Sequence, residues 1–171
     1  MELIAGQNTA LNTQEIIVTL DVGQVPNGLV LAACAFALAA NGKVRTDNDF
    51  VSSEQPILAG EGIARENDGQ IFKLKLDKLP TDIHKATIAV TIENGAAKGQ
   101  SLAGVGYVTA QLANADGTAL GNFRVDMSNR REVALIMVEF YRHNTHWKLR
   151  AVGHGFDNGS PALAQHHGMR M

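Results

Sequence analysis

Cysteine is all but missing. Cys34 is the one cysteine among 171 residues, so neither an internal disulfide nor a zinc site built on paired cysteines can form. A chain with no disulfide to keep is expected in a reducing compartment. No Lys or Arg precedes Lys43, so the charged start of a secretory signal is lacking and the expected location is cytoplasmic. Long apolar runs are lacking too. The longest, residues 29–40, falls short of the roughly 20 helical residues that cross a bilayer, so no direct membrane insertion is expected. Nor does one sign of charge dominate. With 15 Lys and Arg against 17 Asp and Glu, the net charge is −2 and the pI about 6.3, which excludes nucleic-acid binding driven by bulk charge.

Hydrophobic residues make up 45% of the chain and charged residues 19%, which excludes a disordered chain. The length suits a single domain spanning residues 1–171. The charge is unevenly placed. From Arg130 onward, six basic residues (Arg130, Arg131, Arg142, Lys148, Arg150, Arg170) meet three acids (Glu132, Glu139, Asp157). The remainder carries 9 basic and 14 acidic residues. Ordinary solvated surface accounts for such asymmetry; the sharper reading is an acidic body able to hold a hard cation and a basic end facing an anionic partner.

Alternation dominates the patterning. Phe72, Leu74 and Leu76 point one way and Lys73 and Lys75 the other, as in a half-buried strand. Residues 86–92, 105–112, 119–126 and 16–22 read as further strands. Asp116 and Gly117 supply a hairpin turn between two of them. Residues 134–142 and 146–155 flank a turn at 143–145, and Trp147, Leu149 and Ala151 share one face of the second arm. Strands broken by turns at short intervals predict a mainly β fold, an antiparallel β-sandwich of two sheets. The Ala-rich run 29–40 is ambiguous, since propensity favours helix while uniform apolarity also fits a buried strand. A C-terminal helix is expected over 161–167, with Ser160 as its cap, Pro161 at its first position and Gly168 at its end.

Three groupings could carry chemistry. Glu61, Glu66 and Asp68, interleaved with Gly60, Gly62 and Gly69, could wrap a calcium ion, which takes six to eight oxygen ligands. Asp47 and Asp49, beside Asn48, form a weaker candidate of the same kind. In both cases the plain alternative is a solvated loop. His143 and His146, with His154 on the same arm, could hold zinc only if they converge. Cys34 lies in an apolar run, where a thiol is ordinarily inert. No Gly-x-Ser-x-Gly elbow and no phosphate-binding loop occurs, so no enzyme is expected.

The most specific segment is Tyr141-Arg-His-Asn-Thr-His-Trp-Lys-Leu-Arg-Ala-Val-Gly-His-Gly-Phe156. It resembles the C-terminal signature of the tellurium-resistance TerD family of bacterial stress proteins. Gly6-Gln-Asn8 with Leu11, Asn41-Gly-Lys-Val-Arg45 through Phe50-Val51, residues 76–80, Thr91-Ile92 and Lys98-Gly-Gln-Ser101 resemble further family segments in the same order. The resemblance implies a β-sandwich, with residues 29–38 as a strand. It also implies two adjacent calcium ions on acidic loops, no catalysis, and action in stress and tellurite resistance beside partners that include membrane proteins.

The chain departs from the family where the ions belong. Val30, Leu31, Ala32, Ala33 and Cys34 align with the family's Asp-Leu-Asp-Ala-Ser, so both aspartates are replaced. Of the second acidic loop, only Asp68 and Glu66 correspond. No cofactor is therefore expected beyond weak calcium at Glu61, Glu66 and Asp68. The expected partners are proteins of a stress-response complex, membrane-associated ones among them.

Overall fold

The structure, a computed structural model, describes residues 1–169. Arg170, counted in the basic end, lies outside the described residues. Twelve strands follow one another among these. The first six are β1 (Glu2–Leu3), β2 (Asn8–Ala10), β3 (Glu15–Val22), β4 (Leu31–Leu38), β5 (Phe50–Val51) and β6 (Ile63–Glu66). The rest are β7 (Ile71–Lys75), β8 (Lys85–Ile92), β9 (Tyr107–Asn114), β10 (Ala119–Asp126), β11 (Ala134–His143) and β12 (His146–Phe156), followed by the helix α1 (Ser160–His166).

The strands form two six-stranded sheets, ordered β1-β10-β9-β3-β7-β6 and β2-β12-β11-β8-β4-β5. This is the expected sandwich, with one correction: β1 runs parallel to β10, so the first sheet is mixed. Half-buried strands keep the expected alternation. In β3, Ile16, Val18 and Leu20 enter the core while Glu15 and Asp21 face out. Residue 76 departs from its expected strand: Leu76 opens a 3-10 turn, though its side chain stays buried.

Within the run 29–40, Leu31–Leu38 form strand β4, as the resemblance implied and against local helix propensity, the strand starting two residues later than the expected 29–38. Its uniform apolarity has a physical cause. Ala33, Ala35 and Ala37 face the core between the sheets. Cys34, Phe36 and Leu38 face the other way, into a second apolar cluster closed by Leu163 of α1. Both faces of the strand are therefore covered, and alanine's small volume lets the sheets close on it.

The helix differs from expectation at its start. Gly159, with φ of +73°, precedes it, and Ser160 is its first residue rather than its cap. The Ser160 hydroxyl instead meets Thr91 Oγ1 at 2.9 Å, fastening the helix to β8. Gly168, at φ +79°, ends it as expected.

Candidate functional site

The signature hairpin β11–β12 turns at Asn144, which takes the left-handed φ of +57°. Trp147, Leu149 and Ala151 all point into the core. Arg142 lies over the Trp147 ring, 4.5 Å from its centre, and its Nε donates to the Ile83 carbonyl at 2.7 Å. It thus ties the preceding loop to the hairpin. Arg150 does something else. It lies in mid-strand on the outer face, opposite Glu139, and both its Nε and its Nη2 donate to Glu139 Oε1. Gly153 adopts φ +70° where the β12 register shifts, and a Cβ there would come 3.2 Å from Phe123. Trp147, Leu149, Ala151, Arg142, Asn144 and Gly153 of this segment are thus placed by packing, hydrogen bonding and backbone geometry.

The acidic-loop candidates lie at one edge of the sandwich. β6 and β7 form a tight hairpin whose tip is a 3-10 turn at Asn67–Gly69, with Asn67 at φ +52° and Asp68 at φ +56°. Glu61 precedes β6 and Asp68 follows it, so the four-residue strand holds them about 13 Å apart along the chain. Glu61 pairs with Lys78 at 3.7 Å and Glu66 with Lys73 at 3.3 Å. The three carboxylates are thus spread along the hairpin rather than converging. Asp68 stands beside the start of β4, at the edge of a cavity of about 260 Å³ floored by Leu20, Leu31, Ala32 and Val90. Asp21, which sequence reasoning did not single out, also borders that cavity.

Asp47 and Asp49 part company. Asp47 is exposed. Asp49 is buried, and its carboxylate accepts three N–H groups of Arg45, at 2.8, 2.9 and 3.1 Å. Burial pushes the Asp49 carboxyl up, but the Arg45 hydrogen bonds outweigh it and hold the group below the usual carboxylate range. Asp49 is therefore a structural anion already matched by a guanidinium.

The histidines do not converge as a zinc site would require. His143 and His146 pair across the turn, both exposed, and His154 sits at the far end of β12 beside His166, ring centres 5.8 Å apart. Among the described residues, no group of three or more His, Cys, Asp or Glu is placed to hold a metal. His167, by contrast, is buried. Its ring stacks on Phe36 at 3.9 Å, Nδ1 donates to the Leu163 carbonyl at 2.8 Å, and Nε2 meets Thr87 Oγ1 at 2.9 Å. Cys34 lies beneath the same helix, and burial pushes its thiol up to about 12, against a smaller opposing pull from Arg65. So little thiolate exists at neutral pH that Cys34 is a poor nucleophile.

Arg65, the residue that sequence reasoning missed, is the cation of this region. It projects from β6 toward β4, and its Nε donates to the Ala33 carbonyl at 3.0 Å. Its guanidinium rests on Gly69, where a Cβ would approach Nη2 to 2.7 Å. The one available signal was a basic residue set between Glu61 and Asp68.

A model of the TerD domain matches residues 1–167. The chain belongs to the TerD family. It is 36% identical over 149 residues to the tellurium resistance protein TerD of Serratia marcescens, covering 81% of this chain and 78% of that one. It is 29% identical over 152 residues to general stress protein 16U of Bacillus subtilis, covering 82% and 78% respectively. A crystal structure of a telluride resistance (TerD) homologue from Streptomyces coelicolor A3(2) superposes with a TM-score of 0.59 at 18% identity, over 90% of this chain and 96% of that one. That likeness shows the shared fold. The curated TerD relatives support a tellurium-resistance role and are named as resistance and stress proteins rather than as enzymes. No helix among the described residues is long and apolar enough to cross a membrane.

The calcium ions implied by the TerD resemblance do not fit the residues present. A hard cation wants at least six oxygens, several of them charged. At the start of β4, Val30 is exposed and Ala32 half-buried, and neither has a side-chain oxygen. Glu61 and Glu66 are engaged with lysines, and the Arg65 guanidinium rests on Gly69.

Proposed function

We propose that this TerD-family chain is a non-enzymatic stress-response and tellurite-resistance protein that acts by binding protein partners, without a working calcium site. The observation that carries this reading is a contrast between two parts of the fold. The signature hairpin is intact and buried, while the carboxylates that would hold an ion are replaced, spread apart or paired with lysines. A scaffold kept whole around a site without ligands or a nucleophile fits recognition by surface. The partners on this reading are proteins of a stress-response complex, membrane-associated members among them, with the chain itself cytoplasmic. The alternative, one weak calcium site at Glu61, Glu66 and Asp68, requires two of the three carboxylates to leave their lysines and the hairpin to fold back on itself.

A survival assay tests the proposal. In cells lacking their own TerD-family gene, expressing this chain restores growth on tellurite-containing medium. The same chain, carrying a photo-crosslinker on its exposed face, forms the same adducts whether calcium or a chelator is present. Growth no better than with empty vector, or adducts that vanish on chelation, contradicts the reading.

A further inference from the structure

We infer that Arg65 is a built-in cation that fastens the β6–β7 hairpin to β4, so that this end of the sandwich stays closed with no metal. The inference rests on the calcium-free reading above and goes beyond it, because it assigns the cation's place to a residue of the chain.

The geometry carries the argument. Arg65 belongs to the first sheet and Ala33 to the second, so the hydrogen bond between Arg65 Nε and the Ala33 carbonyl joins the two sheets at their edge. An ion held between the start of β4 and the tip of the following acidic hairpin would join the same two segments. Arg65 takes part in none of the ion pairs formed among the described residues. Its donors are instead set against the Ala33 carbonyl and the turn at Gly69, and it lines a cavity of about 340 Å³ together with Ala32, Ala33 and Cys34. A guanidinium keeps its charge at every accessible pH and presents its donors in a rigid plane, so it is a permanent fastener where a bound ion would be exchangeable.

The neighbouring residues suit that role. Gly69, at φ +89°, leaves room for the guanidinium, which any side chain there would displace. Ala32, half-buried beside Ala33, is too small to contend for the space and brings no carboxylate to draw an ion.

Hydrogen exchange followed by mass spectrometry tests this on the full chain, with about 5 mM calcium chloride or with chelator, in the unmodified protein and three variants. In the unmodified chain, amides of residues 31–34 and 66–70 are protected equally in both buffers. Arg65→Met, which keeps length but removes charge and donors, speeds exchange there roughly tenfold while β8 and β11 stay protected; Arg65→Lys, which restores the charge, recovers part of the protection. Adding Ala32→Asp to Arg65→Met makes that protection calcium-dependent. Unchanged exchange in Arg65→Met, or no calcium response in the double variant, overturns the role given to Arg65. Calcium-dependent protection in the unmodified chain overturns the calcium-free reading itself, whatever Arg65 does. Loss of protection in β8 and β11 would mean that Arg65→Met fails to fold; Arg65→Lys then decides, and full loss of protection at 66–70 in that variant also counts against the proposal.

Discussion

Replacing Trp147 by alanine lowers the stability of this protein by about 3–5 kcal/mol, the range for truncating a large buried aromatic. The ring is 5% exposed and sits in the core between the sheets, packed by the strand alternation that also buries Leu149 and Ala151. Two losses add. The first is the cavity left by the indole. The second is the surface on which Arg142 rests, 4.5 Å from the ring centre, while it holds the carbonyls of Leu79, Pro80 and Ile83. Once the ring is gone, that arginine stays hydrogen-bonded but loses its packing, and the loop it anchors loosens. Urea unfolding followed by far-ultraviolet circular dichroism measures the change. A midpoint equal to that of the unmodified protein would show the indole to be exposed and the face assignment of β12 to be reversed.

Acidification between pH 6.5 and about 4 removes up to about 3 kcal/mol of stability through His167 alone. Burial pushes this imidazole down to about 4 from its ordinary value, and the nearby charges of His166, Lys43 and Lys85 act in the same direction, against the Leu163 hydrogen bond. The unfolded chain therefore takes up a proton near pH 6.5 while the folded chain declines it until about pH 4. Stability is complete above pH 6.5, falls as the pH drops through this window, and levels off once the folded form is protonated too. His166, also held below its ordinary value chiefly by burial, adds loss of the same sign. Carboxylates held low by arginines, Asp49 and Glu132 among them, contribute only at still lower pH. His167→Phe keeps the ring against Phe36 but cannot titrate. Its melting temperature is therefore flatter than that of the unmodified chain over this window, measured by scanning calorimetry at half-unit pH steps. Parallel curves for the two proteins would show that folding does not lower the His167 imidazole below its ordinary range.

The strands were legible in the sequence wherever one face meets water, because a period of two then marks the buried side. That held for β3, β7, β9, β10 and the Trp147 arm of β12. It failed for β4, covered by the opposing sheet on one face and by α1 on the other, where the apolar pattern has no period to read. There the family resemblance was right and propensity was not. The helix start was misread because a serine before a proline has the form of a cap, whereas its hydroxyl is spent on Thr91 across the interface. Site residues were harder still. Acid content along residues 61–68 suggested an ion, but composition cannot show that β6 separates Glu61 from Asp68, or that lysines answer Glu61 and Glu66. The partner of Asp49 was four residues away in the chain, and that of Arg65 was a carbonyl 32 residues away, a contact that no side-chain pattern encodes.

The TerD scaffold without its ion is tested most directly by titrating calcium into the unmodified, chelator-stripped protein in a calorimeter. Binding is absent or weaker than about 10⁻⁴ M, the level of low-charge sites, and millimolar calcium leaves the melting temperature where it was. Micromolar binding with a calcium-dependent rise in melting temperature would contradict this, and would mean that Asp21, Asp68 and backbone carbonyls still gather an ion at the cavity they border.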